Sequence, residues 1–300
     1  MKTEGRRQSE NVEDRRGETA GGGMGGLRFP AGGRIGRGGV GGGIGLIVVV
    51  VLALMFGVDP SQLLDSGSTG TSRIETPGQP YVETTDEAQR SAYVRVVLAD
   101  TEDAWKSLFH SAGRAYEAPT MVLFRDAVDS GCGFAESAVG PFYCPTDHKL
   151  YIDLGFFDDL SRRLGASGDF ATAYVIAHEV GHHVQTLLGV SDKVAAARRS
   201  GDERESNAQS VRFELQADCL AGVWASQTEK QKKVLEAGDI EEAMNAAAAV
   251  GDDRLQKRAQ GYVVPESFTH GTSVERASWF KRGLTSGDMK QCDTFSGGGD

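Results

Sequence analysis

Apolar positions along this chain follow two periods. Between residues 84 and 113, Tyr93, Val96, Val97, Trp105, Leu108 and Phe109 recur at helical spacing. Thr84-x-x-Glu87 supplies a capping box at the start of that run and Gly113 a stop. Residues 120–124, 142–144 and 150–154 are short runs rich in β-branched and aromatic residues, and a polar turn at 145–148 joins the last two into a hairpin. The helical period returns at 170–188, where Phe170, Tyr174, Ala177, Gly181, Val184 and Leu188 share one face. Ser167 or Asp169 can cap that helix and Gly189 can end it. Residues 198–207 read as a charged loop, followed by a helix over 206–228. Asp239-x-x-Glu242 and Thr272-x-x-Glu275 open two more helices, ending near Gly251 and at Gly283. The expected fold is an α+β domain over residues 84–295, mostly helical with a small sheet beside the 170–188 helix. A strand at 151–154 on the outer edge of that sheet could accept a peptide as one further strand. Residues 296–300 read as a loose tail.

The N-terminal part has a different texture. Residues 1–39 are Arg/Glu-rich, then Gly-rich, with no apolar period, and are expected to be a disordered cytoplasmic tail. Residues 40–58 hold no charge and centre on an aliphatic run from Leu46 to Phe56. About 19 residues is near the minimum for a membrane-spanning helix. Arg28, Arg34 and Arg37 precede the run and Asp59 follows it, so the N-terminus is expected inside and the remainder outside. No cleavage site of small residues follows, and no cysteine lies there for lipidation, so this reads as an uncleaved single-pass transmembrane anchor. Residues 59–83, rich in Ser, Thr, Gly and Pro, form a linker. Charge follows the same division. Residues 1–58 carry eight Lys+Arg against five Asp+Glu, whereas the whole chain of 300 residues has a net charge of −10. The acidic main body argues against nucleic acid as a partner.

Candidate chemistry concentrates in two segments. In the first, His178-Glu179-x-x-His182 places two imidazoles one helical turn apart, where both can reach one ion at roughly 2.0–2.1 Å. Glu179, about 100° round the helix, can touch a water at the metal as general base but is badly placed to ligate. The spacing alone arises by chance in roughly one chain in a hundred. A catalytic site needs a third protein ligand, and Glu214 in the second helix is the choice, with Asp218 one turn later to accept the distal N–H of a ligand His. Glu203, Glu205 and Asp218 itself are rival ligands. Ala217 and Ala221 would let two helices approach closely. His183 falls one step off the pair, and His110 and His148 are isolated. Tyr262 and His270 lie in a loop region that could reach the cleft and stabilise an oxyanion, although a structural role is the plainer reading of both. Four cysteines occur without a C-x-x-C spacing, and pairs Cys132–Cys144 and Cys219–Cys292 suit disulfides outside the cytosol, with buried thiols as the alternative.

Several blocks together carry a family resemblance. The segment His178-Glu179-Val180-Gly181-His182-His183-Val184-Gln185, the segment from Glu214 to Gly222, Phe268-Thr269-His270-Gly271-Thr272-Ser273, Trp279-Phe280 and Cys292-Asp293-Thr294-Phe295 resemble the bacterial putative neutral zinc metallopeptidase family. The resemblance implies a membrane-anchored, zincin-like domain holding one Zn²⁺ with a Glu third ligand. It implies a peptide or protein substrate and a place at the bacterial cytoplasmic membrane, with the catalytic domain extracytoplasmic. The alternative is a zinc-stabilised, membrane-tethered binding or assembly protein without catalysis. A metal-free helical domain with an accidental motif is the third reading. Nothing in the sequence sets the oligomeric state.

Overall fold

Thr84 opens the first helix of the domain in the computed structural model, which describes residues 1–18 and 81–296. Helix α1 (Thr85–Ser111) has a full capping box: the Thr84 hydroxyl accepts from the Glu87 N–H, and the Glu87 carboxylate accepts from the Thr84 N–H at 2.9 Å. Its apolar stripe of Val94, Val97, Leu98, Trp105 and Phe109 is buried in the main core.

The sheet has four strands in the order β1 (Val12–Asp14), β2 (Thr120–Phe124), β6 (Lys149–Asp153) and β5 (Phe142–Cys144). The β1–β2 and β2–β6 pairs are parallel, and β6–β5 is the expected antiparallel hairpin. Strand alternation sends Met121, Leu123, Leu150 and Ile152 into the helical core. Val122, Phe124 and Tyr151 point the other way into a smaller core with Val128 and Ala135. Those two residues belong to a hairpin of β3 (Ala127–Ser130) and β4 (Gly133–Glu136), which a Cys132–Cys144 disulfide fastens to β5. Burial on both faces explains why β2 and β6 read as nearly unbroken apolar runs. Strand β6 lies inside the sheet, so the expectation that 151–154 forms the outer edge fails; β5 is that edge.

Among the described residues seven further helices of seven or more residues follow: α2 (Phe156–Arg162), α3 (Asp169–Leu187), α4 (Val190–Ser200), α5 (Glu203–Lys232), α6 (Asp239–Ala249), α7 (Asp252–Gln260) and α8 (Ser273–Ser286), which closes the bundle. Helix α5 begins earlier than expected because Asp202 caps it through the Glu205 N–H, which removes much of the expected loop at 198–207. Neither Ser167 nor Asp169 caps α3; Gly168 holds that position, and Glu242 accepts from the Phe170 N–H at 3.0 Å. Helix α8 continues through Gly283, which is needed there for close approach. A Cβ at Gly283 would lie 1.9 Å from the Cys219 carbonyl oxygen, and one at Gly222 would lie 2.0 Å from that of Phe280. The two helix backbones are therefore in contact, and the Cys219–Cys292 disulfide ties the segment after α8 to α5.

The expected disorder of residues 1–39 does not hold for residues 1–18. This segment lies across α1 and adds β1 to the sheet, with Val12 opposite Met121. It carries little apolar periodicity because ion pairs hold it. Arg6 pairs with the buried Asp100, Arg7 with Glu102 at 2.9 Å and with Asp103 at 2.7 Å, and Lys149 with Glu13 at 2.6 Å. The Met1 side chain is buried in the main core, and its ammonium donates to Asp169 at 2.7 Å and to Asp239 at 3.2 Å. The expected anchor at 40–58, most of the linker at 59–83 and the rest of the tail lie outside the described residues. Among the described residues no helix is long and apolar enough to cross a membrane.

A single bilayer crossing between residues 18 and 81 would separate β1 from β2, which are hydrogen-bonded neighbours in one sheet. The expected arrangement, with the N-terminus inside and the domain outside, is incompatible with that pairing. Residues 1–18 and 81–296 should share one side. Full-length Glu10→Cys and Lys281→Cys variants, both at exposed positions, should therefore react alike with a membrane-impermeant maleimide in intact cells. Labelling of one position and protection of the other would show that β1 is undocked in the cell.

Candidate metal centre

Helix α3 presents His178 and His182 on one face, their ring centroids 4.8 Å apart. It crosses α5 where Gly181 meets Ala217: a Cβ at Gly181 would lie 3.0 Å from the Ala217 carbonyl oxygen. That contact brings Glu214, one turn earlier on α5, against both imidazoles. Its Oε2 is 3.1 Å from His178 Nε2 and its Oε1 is 3.6 Å from His182 Nε2. One ligating atom from each of the three residues lies within 4.8 Å of the others.

The remaining ring nitrogens are held elsewhere. His178 Nδ1 is 2.9 Å from Asp218 Oδ1, and His182 Nδ1 is 2.8 Å from Gln185 Oε1. The Gln185 amide is oriented by donating to the Phe213 carbonyl at 2.8 Å and to Gln216 Oε1 at 3.0 Å, which turns its own oxygen toward His182. Asp218 and Gln185 thus hold the Nδ1 sides of the two rings, and both Nε2 atoms face Glu214. Two oriented imidazoles and one carboxylate form a donor set suited to zinc, with the outer partners such ligands require.

Asp218 is fully buried and gathers charge from two further directions. Arg276 of α8 grips it with two bonds, Nε to Oδ2 at 2.9 Å and Nη2 to Oδ1 at 3.0 Å, and the Tyr174 hydroxyl donates to Oδ1 as well. Burial alone would raise the Asp218 pKa, but Arg276 and His178 outweigh it and hold the group below its ordinary value. Burial likewise opposes charge on His178, yet Asp218 and Glu214 push that ring up to about 10. His182 is pushed down to about 4, mainly by burial. Glu214 stays well below the usual carboxylate range because the histidines around it, His182 foremost, overcome its burial. Glu179 is the exception: burial pushes it up to about 7, with His178 opposing.

These groups open onto a cavity of about 440 Å³ whose walls include Phe142, Phe156, Val194 and Phe213. His270 lines it and Tyr262 does not; Tyr262 is exposed, so its candidate role is withdrawn. The His270 loop is pinned by Asp252, whose Oδ2 accepts from the backbone N–H groups of Thr269 at 2.8 Å, His270 at 2.6 Å and Gly271 at 3.1 Å. Asp252 Oδ1 lies 3.3 Å from His270 Nδ1, and burial, which disfavours the charged ring, is outweighed by Asp252 and Glu214, so the His270 pKa is raised. His183 faces away, toward the Glu117 carbonyl at 2.7 Å and the Tyr143 hydroxyl at 3.1 Å. Glu203 and Glu205 sit on the first turn of α5 and do not join the cluster.

The sequence reading missed Tyr174, Gln185, Asp252 and Arg276. Spacing could have found Tyr174 and Gln185, four residues before His178 and three after His182. Nothing local marks Arg276. Its removal has a calculable cost, because Arg276→Met takes from the buried Asp218 its guanidinium partner and leaves Oδ2 without a donor. A loss of about 3–5 kcal/mol is expected, measured as the fall in unfolding free energy by denaturant titration.

Comparison with known proteins bears on the family of the chain. The chain is 49% identical over 297 residues to the uncharacterized Escherichia coli protein YpfJ, covering 98% of this chain and 99% of that one. It is 42% identical over 258 residues to the uncharacterized Mycobacterium tuberculosis protein Rv2575, covering 81% and 85% of the two chains. No solved structure matches it. The model of one family, described as putative neutral zinc metallopeptidase, matches residues 1–295, and the chain belongs to that family.

Proposed function

We propose that the protein is a zinc-dependent endopeptidase that hydrolyses peptide bonds in the cavity beside α3. The observation that carries this reading is the convergence of His178, His182 and Glu214 with Glu179 on one wall of an apolar-sided cavity. His178, His182 and Glu214 would hold one Zn²⁺, which when bound supplies Lewis-acid polarisation of the scissile carbonyl and acidifies water. Glu179, buried beside His178 on the cavity wall, is placed to accept the attacking water's proton and return it to the departing amine. His270, steadied by Asp252, supplies a donor for the oxyanion. Among the described residues β5 has a free edge, and its Tyr143 borders the cavity, so an extended substrate segment can pair there.

Attachment to the bacterial cytoplasmic membrane through residues 40–58, without a single crossing that would part β1 from β2, belongs to the same proposal. It is supported by the uncharged aliphatic run. The two disulfides favour an extracytoplasmic domain, since such bonds persist in oxidising compartments.

Purified protein should carry one zinc per chain by elemental analysis, and Glu214→Gln should weaken zinc binding by about 10-fold or more. Glu179→Gln should keep the zinc and lower peptide cleavage by about 10²- to 10⁴-fold. Undiminished cleavage in that variant, or survival of the cellular role without cleavage, would overturn the catalytic reading. His270→Gln should lower kcat by about 10²-fold with zinc content unchanged, read from steady-state kinetics and metal analysis of the same sample.

A further inference from the structure

Basic side chains around the cavity pair off with carboxylates, with one exception. Arg276 is met by Asp218, His270 by Asp252, and the two metal-site histidines by Glu214. Arg198, on the last turn of α4, lines the same cavity and pairs with no carboxylate among the described residues. Asp192 also lines the cavity, but it is exposed and makes no ion pair with Arg198. The Arg198 Nε is buried without a hydrogen-bond partner. Its guanidinium carbon lies 5.9 Å from the centre of the Phe213 ring, and that ring in turn stacks on His182 at 4.9 Å. Arg198 is thus joined to the metal centre through a single aromatic ring.

Leaving an unpaired guanidinium partly buried is costly, and the fork of donors it presents matches a carboxylate.

We propose that Arg198 is a specificity-determining residue that binds a carboxylate of the peptide substrate, either its C-terminal carboxylate or an Asp or Glu side chain near the scissile bond. This rests on the peptidase reading. The test uses the full-length, zinc-loaded Glu179→Gln protein and isothermal titration with two pairs of peptides. One pair has a free acid against an amide at the C-terminus, with no acidic side chain. The other has Glu against Gln at an internal position, with the C-terminus amidated.

In at least one pair the carboxylate member should bind about 10- to 100-fold more tightly than its neutral partner. Arg198→Gln should erase that difference and Arg198→Lys should restore part of it, while the neutral peptide binds as before in both. The pair that responds identifies the source of the carboxylate. No preference in the parent protein, a preference that survives Arg198→Gln, or equal weakening of charged and neutral peptides would overturn the assignment and leave the peptidase reading intact. Failure of every peptide to bind protein that holds its zinc would sink both.

Discussion

A buried carboxylate must be answered, and in this molecule Asp218 is answered from two neighbouring helices at once. Tyr174 and His178 come from α3, Arg276 comes from α8, and Asp218 itself sits on α5. Separating any of these helices would strand a charge in a medium that solvates it poorly. The group that orients His178 is therefore also the group that locks the bundle. Orientation and assembly are one interaction, so the geometry of the centre needs no separate support on the His178 side. Tight backbone contacts make it possible: Gly181 against Ala217 sets the spacing of α3 and α5, and Gly222 with Gly283 sets that of α5 and α8.

The sheet and the bundle have different tasks. Strands β2 and β6, buried on both faces, form a stiff partition behind α1 and α3. Among the described residues β5 and β1 are the two edge strands, and β5 is the one that borders the cavity, through Tyr143.

Much of this was legible in the sequence, for physical reasons. His178, His182 and Glu214 stand out because a helix imposes their spacing, and two capping boxes marked the starts of α1 and α8 because that motif is local. The antiparallel hairpin was visible from its polar turn. What escaped shares one character: it depends on partners distant in the chain. Residues 1–18 look disordered because their cohesion is electrostatic, Arg6 and Arg7 being matched to acids on α1 that no local pattern reveals. Arg276 is invisible for the same reason, 58 residues from Asp218. Gly283 was mistaken for a stop because glycine ends helices often, and only the neighbouring backbone shows that it is there for lack of bulk.

The Cys219–Cys292 bridge has a bearing on biosynthesis. The ribosome delivers His178, His182 and Glu214 before Arg276 and Cys292. Until they arrive, Asp218 lacks its counter-charge and α5 lacks the helix that covers it. A nascent chain therefore cannot finish this centre until Arg276 and Cys292 have emerged, and maturation waits on them and on an oxidant for the two thiols.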